Sequence, residues 1–165
     1  MLFLGREREL SQLARTCEAA AGGRGALHLV TGEAGIGKTR LADEVTALAL
    51  ERGMLVAWGR AWETGGAPPF HPWIELLEAL GGATAGAPSL DESGPTRHES
   101  ASEDSARERF TLFERVLAFL RERSRTSPLL LVLDDLHAAD VPSLELLHFV
   151  SRSLRSRRRC AAMRS

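Results

Sequence analysis

Residues 32–39 read Gly32-Glu33-Ala34-Gly35-Ile36-Gly37-Lys38-Thr39. They lie between a short apolar run, Ala26 to Thr31, and a stretch with Leu41, Val45 and Leu48 at helical spacing. Glycines at such a junction let successive backbone N–H groups turn inward, which makes a nest for anionic oxygens. A helix beginning near Lys38 adds the positive end of its dipole. The lysine is conspicuous: of 21 basic residues, 20 are arginine and Lys38 is the single lysine. Here arginine is a poor substitute, because the loop needs a compact, flexible ammonium and not a planar fork.

The pattern is G-x-x-x-x-G-K-S/T, the P-loop. It predicts that residues Gly32, Glu33, Ala34, Gly35, Ile36, Gly37, Lys38 and Thr39 cradle the phosphates of ATP. Lys38 reaches the β- and γ-phosphates, and the Thr39 hydroxyl holds Mg²⁺. The bland alternative is a glycine-rich strand-to-helix turn with an exposed lysine. It is outweighed by the flanking strand and helix, which are the context the motif requires.

A second acidic stretch supports the first. Residues 129–135 read LLLVLDD, five apolar residues and then Asp134 and Asp135. In P-loop proteins a second strand ends in an aspartate that holds Mg²⁺, directly or through water. Asp134 fits that role, and Asp135 is placed to orient or deprotonate an attacking water. Alone, a strand ending in two aspartates is commonplace; after a P-loop strand in the same chain it gains weight.

The rest of the chain reads as alternating elements. A helix is expected over 6–21, a buried strand over 26–31, a helix over 38–52 and a strand over 54–58. That order predicts an α/β fold with a parallel sheet in a three-layer sandwich. Residues 64–72, with three prolines and two glycines, read as loop, and 73–80 as a short amphipathic helix. Residues 81–105 have little apolar content and read as a mobile surface excursion. Helix resumes over 106–123, with Phe110, Phe113, Leu117 and Leu120 in one stripe. Pro128 opens the strand 129–133, and Pro142 sits in the first turn of a last helix to about Arg155. The domain division is thus a core over 1–155 and a basic tail over 156–165.

Bulk properties narrow the class. Hydrophobic content of 44% and charged content of 26% are globular values. A net charge of -1 argues against binding nucleic acid by bulk electrostatics. Cys17 and Cys160 make no disulfide framework, no apolar run spans a bilayer and no signal peptide opens the chain, so a cytoplasmic protein without membrane association is expected.

Four stretches together resemble one family: GREREL at 5–10, GEAGIGKTRL at 32–41, GRAWETGGAPPFHPW at 59–73 and LVLDDLHAADVPSLELL at 131–147. The family is the AAA-type ATPase domain of large LuxR-type regulators, within the signal-transducing (STAND) P-loop ATPases; origin-recognition-like AAA domains look similar. The resemblance runs from about Phe3 to Leu154. It implies that Gly5 and Arg6 lie on the adenine side of the site. It places His137 in the segment after the aspartates, where a packed or capping histidine is the simpler reading. Trp58, Trp62 and Trp73 read as core or loop anchors.

The chain also departs from the family. Ala138 stands where a tryptophan is usual. Family members continue past the last helix with an apolar strand carrying a polar sensor residue, a further strand and a helical lid. In the superfamily the first of these lies between the P-loop strand and the acidic strand. Only Cys160 to Met163 could begin it here, so the sequence leaves two outcomes: a stub of that strand, or an incomplete sheet. The reading is a C-terminally truncated fragment, with a reading-frame change near Arg157 as one route. The arginines from Arg152 to Arg164 read as a solvated helix end and tail in preference to a nucleic-acid contact.

Three functions follow. The first is a Mg-ATP-binding switch with slow hydrolysis, a module of a signalling or transcription regulator. Its partners would be ATP or ADP, a second copy or a regulatory protein, with no direct DNA binding by this segment. The alternative is a non-catalytic remnant or interaction module, because no arginine finger can be assigned. A small-molecule P-loop kinase fits less well, because no acceptor-binding signature is visible.

Overall fold

Strand Leu129–Asp134 is buried at every position, and it organises the molecule. Its side chains alternate between two separate cores. Leu129, Leu131 and Leu133 enter one, and Leu130 and Val132 enter the other. A strand covered on both faces has no polar side, which is why LLLVL carries no alternation. Each fully buried leucine contributes about 1.5–3 kcal/mol by removal from water.

The structure is a computed structural model that describes residues 6–62, 66–81, 86–90, 103–154 and 160–164. The elements run α1 (Glu7–Ala21), β1 (Ala26–Leu29), α2 (Lys38–Glu51), β2 (Leu55–Arg60), α3 (His71–Ala79), α4 (Glu103–Thr126), β3 (Leu129–Asp134), α5 (Val141–Leu154) and β4 (Cys160–Arg164). All strand pairs are parallel, in the order β1-β4-β3-β2. The α/β sandwich with a parallel sheet expected from the element order is therefore the observed fold.

On one face, α1 and α2 contribute Leu13, Cys17, Ala20, Leu41, Ala42, Val45 and Ala49. Burial pushes the Cys17 thiol above its ordinary value, against the opposing pull of Arg52, so it packs as a small protonated hydrophobe. On the other face, α3, α4 and α5 bring Trp73, Leu76, Val116, Leu120, Leu146 and Leu147. Trp73 is fully buried and donates its indole N–H to the Ser143 carbonyl at 3.0 Å, which fastens α3 to α5.

Several expectations are refined. Of the two outcomes left open for Cys160 to Met163, the sheet takes the first: this segment forms β4 and pairs with both β1 and β3. Residues 160–164 of the expected basic tail are thus in the sheet, and 155–159 lie outside the described residues. Within the expected excursion at 81–105, Leu90 is buried in the α3/α4/α5 core, and α4 already begins at Glu103; residues 82–85 and 91–102 lie outside the described residues. In α4, Phe113 and Leu120 of the expected stripe are buried, but Phe110 is 52% exposed and meets the edge of Phe149.

Candidate functional site

The phosphate-loop and acidic residues that the sequence singles out lie at or follow the C-terminal ends of β1 and β3, and the end of β2 lies beside them. The chain leaves β1 after Leu29 and passes through residues 32–37 before α2 starts at Lys38. Gly35 and Gly37 have φ of 77° and 89°, a left-handed backbone that a side chain would strain. Gly37 is the residue immediately before the helix. Residues 32–36 are exposed, Ile36 included, so the loop opens to solvent. Lys38 folds back over it: Nζ donates to the carbonyls of Gly32 (3.2 Å) and Glu33 (3.1 Å). A cation thus spans the loop mouth.

Thr39, one residue into α2, reaches the other motif. Its hydroxyl donates to Asp134 Oδ2 at 3.1 Å across 95 residues of sequence. Asp134 ends β3 with a side chain that is 1% exposed, and its other oxygen accepts the Asp135 backbone N–H at 2.9 Å. Asp135 itself adopts a left-handed conformation (φ 55°). Aspartate is among the few residues with a side chain that tolerate this region. The Asp135 side chain is 38% exposed.

The parallel register of β2 and β3 sets Arg60 opposite Asp134. The Arg60 guanidinium lies 3.5 Å from Asp134 Oδ2 and 3.8 Å from Asp135 Oδ2. Its backbone is braced from α3: Glu75 Oε2 accepts the Arg60 N–H at 2.8 Å. Gly59 permits this approach, because a Cβ there would fall inside the Pro72 carbonyl. Sequence reasoning missed Arg60, Glu75 and the role of Gly59. The available signal was a β2 run continuing past Trp58 to a charged residue, but its partner depends on register.

Arg6 precedes α1, and its Nη2 lies 3.8 Å from where a Cβ on Gly32 would be, beside the phosphate-loop backbone. Gly5 lies outside the described residues. His137 is exposed in a 3-10 turn over Leu136–Ala138, and Ala138 N–H bonds to the Asp135 carbonyl at 2.9 Å. Trp58 is partly buried and donates to Thr46 Oγ1 at 3.2 Å; Trp62 is 59% exposed and lies edge-on to His71.

The donor set is informative about metal. Among the described residues no group of three or more His, Cys, Asp or Glu side chains is gathered to hold an ion. The juxtaposed hydroxyl of Thr39 and carboxylate of Asp134 are hard oxygen donors. Such a sparse pair suits Mg²⁺, which keeps several waters and takes further ligands from phosphate.

A family model of the AAA ATPase domain matches residues 2–162. The chain belongs to this family. As an AAA ATPase domain it is a nucleotide-binding module. Its fold is similar to a chain in a structure of Drosophila ORC bound to DNA, with a TM-score of 0.59 and 16% identity. That match covers 99% of this AAA ATPase domain and 38% of the ORC chain. No curated protein matches the chain in sequence. Among the described residues no helix is long and apolar enough to cross a membrane.

Proposed function

We propose that the chain binds Mg-ATP between the 32–39 loop and the acidic end of β3. It then serves as a nucleotide-dependent switch with slow hydrolysis, in a signalling or transcription regulator of the LuxR-type STAND group. The observation that carries this reading is the Thr39–Asp134 hydrogen bond, which joins two motifs 95 residues apart.

The geometry supports one role for each residue. The loop N–H groups and the start of α2 receive the phosphate oxygens. Lys38 already holds its ammonium over the loop through two carbonyl bonds. It exchanges these for the more strongly charged phosphate oxygens. Thr39 and Asp134 hold Mg²⁺, which when bound neutralises charge on the β- and γ-phosphates. Asp135, adjacent to Asp134 and partly exposed, accepts a hydrogen bond from water and orients it. Arg6, beside Gly32, and Gly5 contribute on the nucleotide side. A cytoplasmic setting suits ATP as ligand. The partners proposed are ATP or ADP and a second copy or regulatory protein. Direct DNA binding is not proposed for this segment, whose net charge is -1.

Isothermal titration of Mg-ATP tests this. Lys38→Ala removes the ammonium from an otherwise intact loop and is expected to weaken binding at least about 100-fold, because charge-assisted phosphate bonds are among the strongest available. Unchanged affinity would overturn the proposal.

A further inference from the structure

Arg60 stands out as a cation that meets both carboxylates of the acidic end, whereas Lys38 is turned to carbonyls of its own loop. Its contact with Asp134 involves Oδ2, the same oxygen that accepts the Thr39 hydroxyl. That oxygen therefore faces both groups. A metal held by Thr39 and Asp134 would need the oxygen that Arg60 approaches. Two like charges cannot share it without cost.

The two ends of Arg60 behave differently. Its backbone is fixed by β2–β3 pairing, by the Glu75 bond and by Pro72 packed over Gly59. Its side chain is 59% exposed and contacts both carboxylates at the long edge of ion-pair range, 3.5 and 3.8 Å. An exposed guanidinium on a rigid anchor swings away at low cost. Asp134, at 1% exposure, cannot turn to solvent for compensation.

We propose that Arg60 is the resident counter-cation of the Asp134–Asp135 pair and gives way when a divalent metal binds, so that it sets the metal concentration at which the site fills. This rests on the reading of the acidic end as the Mg²⁺ site. Arg60 is a positioning residue in this role: it acts on the carboxylates and not on the nucleotide.

The test uses the full chain stripped of metal, with Mn²⁺ alone as probe, followed by electron paramagnetic resonance. Arg60→Gln keeps a long polar side chain but no charge. It is expected to bind Mn²⁺ about fivefold more tightly than wild type, the scale of a partly exposed ion pair. Arg60→Lys, which keeps the charge, should stay within about twofold of wild type on the same scale. In EDTA Arg60→Gln should melt below wild type, and added Mn²⁺ should narrow the gap. Equal or weaker Mn²⁺ binding by Arg60→Gln overturns the proposal, and so does absence of Mn²⁺ binding in all three proteins. If Arg60→Gln fails to fold, Arg60→Lys decides: Mn²⁺ binding weakened or tightened beyond twofold would contradict simple charge competition. Since Mn²⁺ is titrated without nucleotide, a wild type that binds Mn²⁺ but no ATP would sink the nucleotide reading and leave this one standing.

Discussion

The phosphate loop and the acidic end of β3 meet at one hydrogen bond yet are built by opposite means. The loop is a single stretch of sequence, exposed from Gly32 to Ile36, shaped by backbone conformation at Gly35 and Gly37. Among the described residues its lysine bonds to carbonyls of the same loop. The acidic end is a buried carboxylate held by groups from separate elements: Thr39 of α2, Asp135 after β3 and Arg60 of β2, with Glu75 of α3 behind. A local device needs only the right residues in order. An assembled device also needs the sheet register and the packing of α3. The acidic end should therefore fail when distant packing fails, and the loop should not.

The largest effect expected from breaking this contrast is at Gly59. Gly59→Ala drives a methyl into the Pro72 backbone, which cannot rotate aside as a side chain would. The expected loss of stability is about 3 kcal/mol, the upper end of overpacking costs, measured by urea unfolding. A loss below about 1 kcal/mol would show that α3 gives way freely, and that it does not brace the acidic end.

This division also explains what was legible in the sequence. The loop, the apolar β3 and the alternation of helices and strands are local patterns, so their positions follow from composition and spacing. The starts of α2 at Lys38 and of β3 at Leu129 are examples, though β3 runs one residue past the expected Leu133. Arg60 was not legible, because its meaning comes from standing opposite Asp134 in a parallel pair. The close approach over Gly59 is a contact between backbones and leaves no mark on side-chain pattern. The insertion of β4 between β1 and β3 was named only as one of two outcomes, since strand order is not a property of any single segment. Leu90 was missed because one apolar residue in a polar stretch has no periodicity to reveal it.

A smaller effect is expected on the loop's side of the sheet. His28 of β1 lies with Nε2 2.7 Å from the Thr16 hydroxyl, which itself donates to the Gln12 carbonyl. Burial lowers the His28 pKa below its ordinary 6.5. The folded protein therefore resists a proton that the unfolded chain accepts. Stability should be level above that ordinary value, fall as pH drops below it, and level off once the folded imidazole also protonates. His28→Gln keeps a hydrogen-bonding side chain without the titration, and should flatten this slope in melting curves taken across the window. An unchanged slope would place the dependence elsewhere.

The most direct test of the central claim, that loop and acidic end form one site, is a double-mutant cycle on Thr39→Ala and Asp134→Asn. Its readout is the Mg²⁺ dependence of ATP affinity in isothermal titration. If Thr39 and Asp134 serve one metal, each single variant removes most of the Mg²⁺ enhancement and the double variant is little worse than either, a coupling of about 1–3 kcal/mol. Additive effects, or Mg²⁺ enhancement surviving in the double variant, would contradict a shared site.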